Sequence, residues 1–331
     1  MKTPTIQDIA KEAGVSKSTV SRVLNKTAAV HPEKQRSILL AINRLGFRPN
    51  VVARSLAKGR SMTIGILTQQ IGSPYYDAVS QGVISGFDGT GYSPLFADGQ
   101  WQSAVEMEAI RTLIGRRVDG LVLVGGSIPG EETLALCHPL PTVVVGRKLS
   151  HLHCIYTDNV DGGYQATRHL LDSGHREIAI ILGIEHHPDA VDRFAGYRQA
   201  LKEAGIGLNQ ELVADGDFTA ESGVAGIEKL LASGQSFSAV FASNDATAFG
   251  ARLALYRKGV DVPKEVSLVG FDDQAEAAFM APPLTTIHQP AREMGRRASE
   301  ALMKLIHGET FQTRSLKGQL RIRESVSRIQ G

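Results

Sequence analysis

Lys17, Ser18, Ser21 and Arg22 are the side chains whose types and spacing point most directly to chemistry. In VSKSTVSRVLN, Val20, Val23 and Leu24 share one face of a short helix and leave those four on the other. A helix of that size fits the major groove of B-form DNA, where short polar and basic side chains reach base edges and phosphates. Arg22 carries the fork for a bidentate contact to guanine. An ordinary helical hairpin with a solvated face would show the same pattern, so position, charge and the following residues must decide. A second set lies just after short apolar runs: Ser73, Pro74 and Tyr75; Asp98; Gly126 and Ser127; Asp158; residues 185–192; Phe218; Asn244 and Asp245; Asp272 and Asp273. In open α/β sheets, ligands bind beyond the carboxyl ends of the strands.

Other groupings carry less. Glu185-His186-His187-Pro188-Asp189 has metal-ligand residue types, but adjacent histidines in a Pro-containing stretch do not face one point as a helical HExxH does. It reads as a mobile rim loop. Gly125-Gly126 lacks the spacing of a dinucleotide or phosphate loop, and no GxSxG or Ser/His/Asp set is brought together. Cys137 and Cys154 are isolated, as reduced structural thiols would be. No cofactor, metal or catalytic centre is expected.

The elements that must hold these residues follow from the pattern. In TIQDIAKEAGVSKSTVSRVLN, Thr5 can cap a first helix with Ile6, Ile9 and Ala10 on its inner face. Gly14 ends it, Val15 plugs the turn, and Ser16 caps the second helix. His31-Pro32-Glu33 opens a third helix with Ile38, Leu39, Ile42 and Leu45 facing the first two, ended by Gly46. VVARSLAKGRS follows Arg48-Pro49-Asn50. It is either a basic linker without fixed structure or a short helix that folds on DNA, with Leu56 as an apolar minor-groove wedge. From Thr63, short apolar strands alternate with helical patterns, which predicts parallel sheets covered on both faces. The pattern restarts near residues 158–163, as two similar lobes would. The tail has a helix from about Ala291 to His307, then LKGQLRIRESVSRI, which reads as a final strand pair.

Charge separates head from body. Residues 1–60 hold 12 Lys and Arg against 3 Asp and Glu, while the remainder holds 24 against 31. A basic head on an acidic body implies a polyanion met by the head alone. No apolar run is long enough to span a membrane.

With these motifs in place, the chain resembles the LacI/GalR family of bacterial transcriptional regulators over essentially its whole length. The head motif and RPNVVARSLAKGRS carry the likeness, with RRVDGLVLVG, GHREIAIILG, RFAGYRQAL, ASNDATAFGA, VSLVGFDD and PPLTTIHQP in the body. The body motifs alone would also fit related periplasmic sugar-binding proteins, which lack the head. The resemblance implies an all-α helix-turn-helix head plus hinge helix, followed by a two-lobed periplasmic-binding-protein-like α/β core with parallel sheets. The domains would be residues 1–47, 48–61 and 62–331. The N-lobe would take about 62–159 and 291–318, and the C-lobe about 160–290 and 319–331.

The resemblance further implies that Lys17, Ser18 and Arg22 read the major groove, while Thr5, Ser16, Thr19, Ser21 and Asn25 hold phosphates. Asn50, Ala53 and Leu56 would enter the minor groove. His31 departs from the small capping residue expected there. For the effector cleft it implies Arg193, Asn244 and Asp272 as polar clamps, Phe218 and Tyr75 as stacking rings, and Ser73 and Gln289 nearby. Arg193 could instead pair with Asp189 or Asp192, Asn244 or Asp245 could cap a helix, and Phe218 could be core. Trp101 is either a cleft aromatic or a cap over the next helix, and the second is preferred. The expected protein is a cytoplasmic, nucleoid-associated homodimeric repressor of a pseudo-palindromic DNA operator. Its effector would be a mono- or disaccharide, with a purine or a phosphoprotein partner as alternatives. A sugar-processing enzyme with a DNA-binding head is the remote one.

Overall fold

The computed structural model describes residues 4–25, 28–47 and 59–329. The chain forms two compact units, Met1–Ser61 and Met62–Gly331. Asn50, Ala53 and Leu56 lie outside the described residues.

The head contains α1 (Ile6–Glu12), α2 (Lys17–Asn25) and α3 (Pro32–Leu45). Thr5 and Asp8 cap α1 reciprocally: Thr5 N–H donates to the Asp8 carboxylate at 2.8 Å, and Asp8 N–H donates to Thr5 Oγ1 at 3.4 Å. Gly14, at φ +65°, lets Val15 N–H return to Ala10 O at 3.0 Å, which closes α1 and turns the chain into α2. Ile9, Ala10, Val20, Ile38 and Ala41 form the shared core. Two expected inner residues are outside it: Ile6 is 40% exposed and Leu39 is 49% exposed. The buried stripe of α3 runs through residues 38, 41, 42 and 45, and Leu39 stands about 100° from Ile38 around the helix. Ile6 belongs to the first turn of α1, ahead of the point where the core begins.

The second unit contains two six-stranded sheets. The first has the order β11-β5-β4-β3-β1-β2, all parallel. Its strands are β1 (Thr63–Thr68), β2 (Ser93–Asp98), β3 (Gly120–Val124), β4 (Thr142–Val145), β5 (His153–Thr157) and β11 (Arg314–Leu316). The second has the order β12-β10-β9-β8-β6-β7. It is built from β6 (Ile178–Ile181), β7 (Val213–Ala214), β8 (Ala239–Ala242), β9 (Ser267–Asp272), β10 (Thr285–His288) and β12 (Gln319–Arg321). Every residue of β3, β4, β6 and β8 is buried, as parallel strands covered on both faces must be.

The tail corrects one expectation. Its two strands do not pair with each other: β11 joins β5 in parallel, and β12 joins β10 antiparallel. Each lobe therefore gains an edge strand, and the intervening residues form one of three crossings between lobes. The others follow β5 and β10.

The helices are α4 (Pro74–Gly86), α5 (Ser103–Gly115), α6 (Gly130–Cys137), α7 (Asn159–Asp172), α8 (Pro188–Glu203), α9 (Ala220–Ala232), α10 (Asp245–Arg257) and α11 (Ala291–Ile306). Three helix pairs meet backbone to backbone through a glycine on each side: Gly82 with Gly295, Gly163 with Gly196, and Gly223 with Gly250. A Cβ at any of the six would lie 1.8–2.2 Å from a carbonyl oxygen of the facing helix. The middle pair joins α7 to α8 and fixes the residues that matter most below.

Candidate functional site

On the head, Lys17, Ser18 and Arg22 are exposed, and Thr19 and Ser21 are half-buried. Ser16 Oγ accepts Thr19 N–H at 3.2 Å and lies 2.8 Å from the hydroxyls of both Ser18 and Thr19. Thr5 is exposed at the start of α1, and Asn25 ends α2. The side chains expected to read bases thus share the exposed side of α2, whose first turn carries no acid.

In the core, a cavity of about 290 Å³ opens at the carboxyl ends of strands from both sheets. Ser73, Tyr75, Arg193, Phe218, Asn244, Asp272 and Gln289, the seven residues expected there, all line it. Asp98, Ser127 and Asp158 do not. The Asp98 carboxylate accepts Ile71 N–H and Gln100 N–H, Ser127 donates to buried Glu106, and Asp158 caps α7. Asp273 turns away, with its carboxylate 3.0 Å from His288 Nδ1 and 2.5 Å from Arg323 Nη2.

Arg193 organises the polar wall. It is 3% exposed, and its guanidinium carbon lies 3.8 Å from the centre of the Phe271 ring. Nε donates to Asn159 Oδ1 at 2.9 Å, and Nη1 donates to Ser243 O at 2.6 Å. Nη2 stands 3.8 Å from both Asp189 and Asp272, too far for a hydrogen bond. Gln289 Nε2 donates to Asp272 Oδ1 at 2.8 Å, and Asn159 Nδ2 to Asp189 Oδ1 at 3.1 Å. Burial pushes the Asp272 carboxyl up to about 6, against the opposing pull of Arg193 and Gln289. Burial also raises the Tyr75 and Tyr76 phenols, so both remain hydrogen-bond donors.

Other expectations resolve differently. Asn244 is the cap of α10: its Oδ1 accepts Thr247 N–H at 2.9 Å and its Nδ2 donates to Phe218 O at 3.0 Å, which leaves one amide hydrogen for a ligand. Asp245 is fully buried, and its carboxylate accepts Thr286 Oγ1–H at 2.6 Å and Gln274 N–H at 2.8 Å. Phe218, at φ +69°, lays its ring over Gly183, where a Cβ would fall 2.2 Å away.

Trp101, preferred above as a helix cap, lines the cavity and packs edge-on against Tyr76 and His187. Of the stretch read as a mobile rim loop, residues 185–187 are loop beside the cavity, and the rest opens α8. Pro188 is its first residue, and His187 caps it, with Nδ1 accepting Asp189 N–H at 3.1 Å. Tyr76 and Asn159 were not singled out as site residues, and His187 only within residues 185–192. Asn159 had a signal, since it directly follows the strand-end Asp158. No His, Cys, Asp and Glu group among the described residues could hold a metal ion, and no helix among them is long and apolar enough to cross a membrane.

Residues 5–50 match the family described as bacterial regulatory proteins, lacI family, and residues 167–326 match the periplasmic binding protein-like domain. The HTH-type transcriptional regulator AscG of Escherichia coli (strain K12) is 34% identical over 97% of this chain and 98% of its own. The HTH-type transcriptional repressor PurR of Vibrio campbellii is 34% identical over 98% of this chain and 99% of its own. Among solved structures, the lac repressor dimer bound to operator and the anti-inducer ONPF has a TM-score of 0.90 at 27% identity, covering 98% of this chain and 100% of that one. A complex of the transcriptional regulator CelR with cellobiose has a TM-score of 0.72 at 34% identity, covering 97% and 99%.

Proposed function

This chain belongs to the lacI family of bacterial regulatory proteins and is a DNA-binding transcriptional repressor with a small-molecule effector domain; from that premise we propose that its effector is a neutral mono- or disaccharide held between the two lobes. The observation that carries this is the gap at Arg193. A guanidinium nitrogen faces Asp189 and Asp272 at 3.8 Å each, with no direct hydrogen bond to either. A ligand hydroxyl fits such a gap, accepting from the guanidinium and donating to a carboxylate. Three carboxylates, Asp189, Asp217 and Asp272, line the cavity against one guanidinium, which disfavours a phosphorylated or acidic ligand. The CelR relative was solved with cellobiose.

A purine is the second reading, favoured by the identity to PurR and by the rings of Tyr75 and Phe218. A thermal-shift screen of neutral sugars, sugar phosphates and purines tests the choice. At about 100 times its dissociation constant a true effector adds roughly 2.7 kcal/mol. A shift with purines alone overturns the saccharide reading.

Lys17, Ser18 and Arg22 are the base-reading residues in this proposal. Thr5, Ser16, Thr19, Ser21 and Asn25 hold phosphates, and Asn50, Ala53 and Leu56 act in the minor groove. The working form is a homodimer on a pseudo-palindromic operator. Leu253, Tyr256 and Phe279 are 42%, 70% and 87% exposed. Arg252 on α10 donates twice to Ala281 O, which ties α10 to the segment carrying Phe279, and we read the three as one apolar face. A second copy of the chain covers that face. Effector binding shifts the population between two lobe arrangements, and operator affinity follows because the ligand prefers one of them. A protein that binds chromosomal DNA works in the bacterial cytoplasm, where we expect this one.

A further inference from the structure

The effector cavity has a neighbour. A space of about 10 Å³, bounded by Gly125, Gly126, Gly146 and Arg147, adjoins it, and Tyr75, Tyr76, Trp101, His187 and Asp189 line both. Residues common to two adjoining spaces form the wall between them. Trp101 follows β2 in one lobe, His187 precedes α8 in the other, and their ring centres are 4.4 Å apart with planes at 69°. Behind His187, on its own lobe, stands Phe218, 5.4 Å away and nearly perpendicular.

We propose that His187 sets which saccharides the effector cavity admits: with Trp101 it shuts a second compartment, headed by Arg147, into which a substituent on the sugar ring would otherwise extend. The inference rests on the saccharide reading above and adds the residue that limits ligand size.

Backbone strain shows that the wall is built. Gln100 and Trp101 have φ of +54° and +56°, His186 has +61° and Phe218 has +69°. Left-handed backbone at residues other than glycine is strained and persists only where the surroundings over-determine it. Here Gln100 N–H donates to Asp98 Oδ1 at 3.0 Å, and Trp101 N–H donates to the buried Gln69 Oε1 at 3.1 Å. Trp101 thus reaches the wall from a strained turn, a strained residue directly precedes His187, and another holds Phe218 behind it.

The compartment behind carries one guanidinium, Arg147, among mostly apolar walls. Gly125, Gly126 and Gly146 all have positive φ and leave its floor without side chains. Arg147 donates through Nη1 to Ile128 O at 3.1 Å, and burial pulls its guanidinium below the usual range. Gln69, 1% exposed, has an Nε2 with no hydrogen-bond partner, 3.3 Å from where a Cβ on Gly126 would lie. Glu106 does not take up these donors, because Ser127 and Ile128 occupy its carboxylate. At about 10 Å³ the compartment holds at most one water. Removal of the imidazole joins it to the cavity.

Trp101 is the single tryptophan of the chain, so its fluorescence reports on the wall directly. The test uses the full-length protein with His187→Asn, which keeps a helix-capping side chain and removes the ring, and His187→Phe, which keeps a ring and removes the cap. In the unliganded protein, acrylamide quenching of Trp101 rises in His187→Asn and returns to the wild-type value in His187→Phe. Saccharide affinities are then compared within matched pairs, D-xylose with D-glucose and D-glucose with methyl β-D-glucoside. In at least one pair the wild type disfavours the larger sugar by about tenfold, at the low end of what one added carbon in a pocket is worth. His187→Asn narrows that gap and His187→Phe preserves it. Unchanged quenching, or a size gap that survives in His187→Asn, overturns the inference. A wild type that binds purines and none of these sugars overturns the saccharide reading instead, while the quenching data still decide whether His187 closes the compartment.

Discussion

Arg193 and Asp272 oppose each other across 3.8 Å at the heart of the cleft, close enough for strong attraction and too far to share a hydrogen. Asp272 is 8% exposed at its side chain, and its carboxyl titrates near 6 because burial outweighs the guanidinium beside it. The same group in the unfolded chain titrates near its ordinary ~3.9. Between those values the folded protein keeps a proton that the unfolded chain has released. Stability must therefore fall as pH rises from about 4 to about 6, then level off. The two values differ by about two pH units, which corresponds to roughly 3 kcal/mol. Asp272→Asn removes that slope while its amide oxygen still accepts from Gln289. Urea unfolding of both proteins at pH 4.5 and 7.5 checks this, and an equal pH dependence in the two would refute it. Saccharide affinity in the wild type should also rise through pH 6 as the carboxylate forms.

The cavity was legible in the sequence wherever one local rule applied. Ser73, Tyr75, Phe218, Asn244 and Asp272 each follow an apolar run, and parallel sheets put such positions at one end. Contacts that cross from lobe to lobe were not legible. Nothing local in DGQW announces two left-handed residues, so Trp101 passed for a helix cap. The histidines before Pro188 are loop as read, but the contact of His187 with Trp101, 86 residues earlier, has no local signal. The tail failed for a related reason: two strands close in sequence were taken as partners, although each edge belongs to a different sheet.

Gly163 lies where α7 crosses α8, and a Cβ there would fall 2.2 Å from Arg193 O. The obstacle is backbone, so the helices must move apart. Asn159 on α7 holds Arg193 on α8 at 2.9 Å, and that bond stretches when they do. Gly163→Ala should lower stability by about 1–3 kcal/mol, as overpacking does, and weaken effector binding as well. Thermal unfolding and a saccharide titration measure the two effects. Unaltered affinity in a destabilised variant would show that the helix crossing does not position Arg193.

Phe279 is 87% exposed, as Tyr256 and Leu253 also are in large part, a costly arrangement for a monomer. In a two-fold dimer each copy offers the same face, so one substitution places two like charges close together. Phe279→Asp should shift the protein from dimer to monomer in sedimentation experiments at micromolar concentration, with the helical content kept. Operator affinity should fall with it, because half-sites are then bound singly. A dimer that persists in Phe279→Asp would move the interface elsewhere.

Arg22 is exposed on α2, whose buried side carries Val20 against Ile9 and Ile38 in the core. Truncating it removes nothing from that core, so the head should keep its stability. What is lost depends on what the guanidinium touches. A contact to guanine in the major groove is worth about 1–3 kcal/mol of discrimination, and its loss falls on the operator alone. A contact to phosphate weakens every duplex alike and reduces the salt dependence of binding. Arg22→Ala should therefore lower operator affinity by about ten- to a hundredfold while leaving affinity for random DNA nearly unchanged. Lys17→Ala and Ser18→Ala should alter which operator variants are preferred. Competition binding at two salt concentrations, with operator and random duplexes in parallel, separates the cases. A uniform loss across both duplexes would reassign Arg22 to the backbone and leave base reading to Lys17 and Ser18.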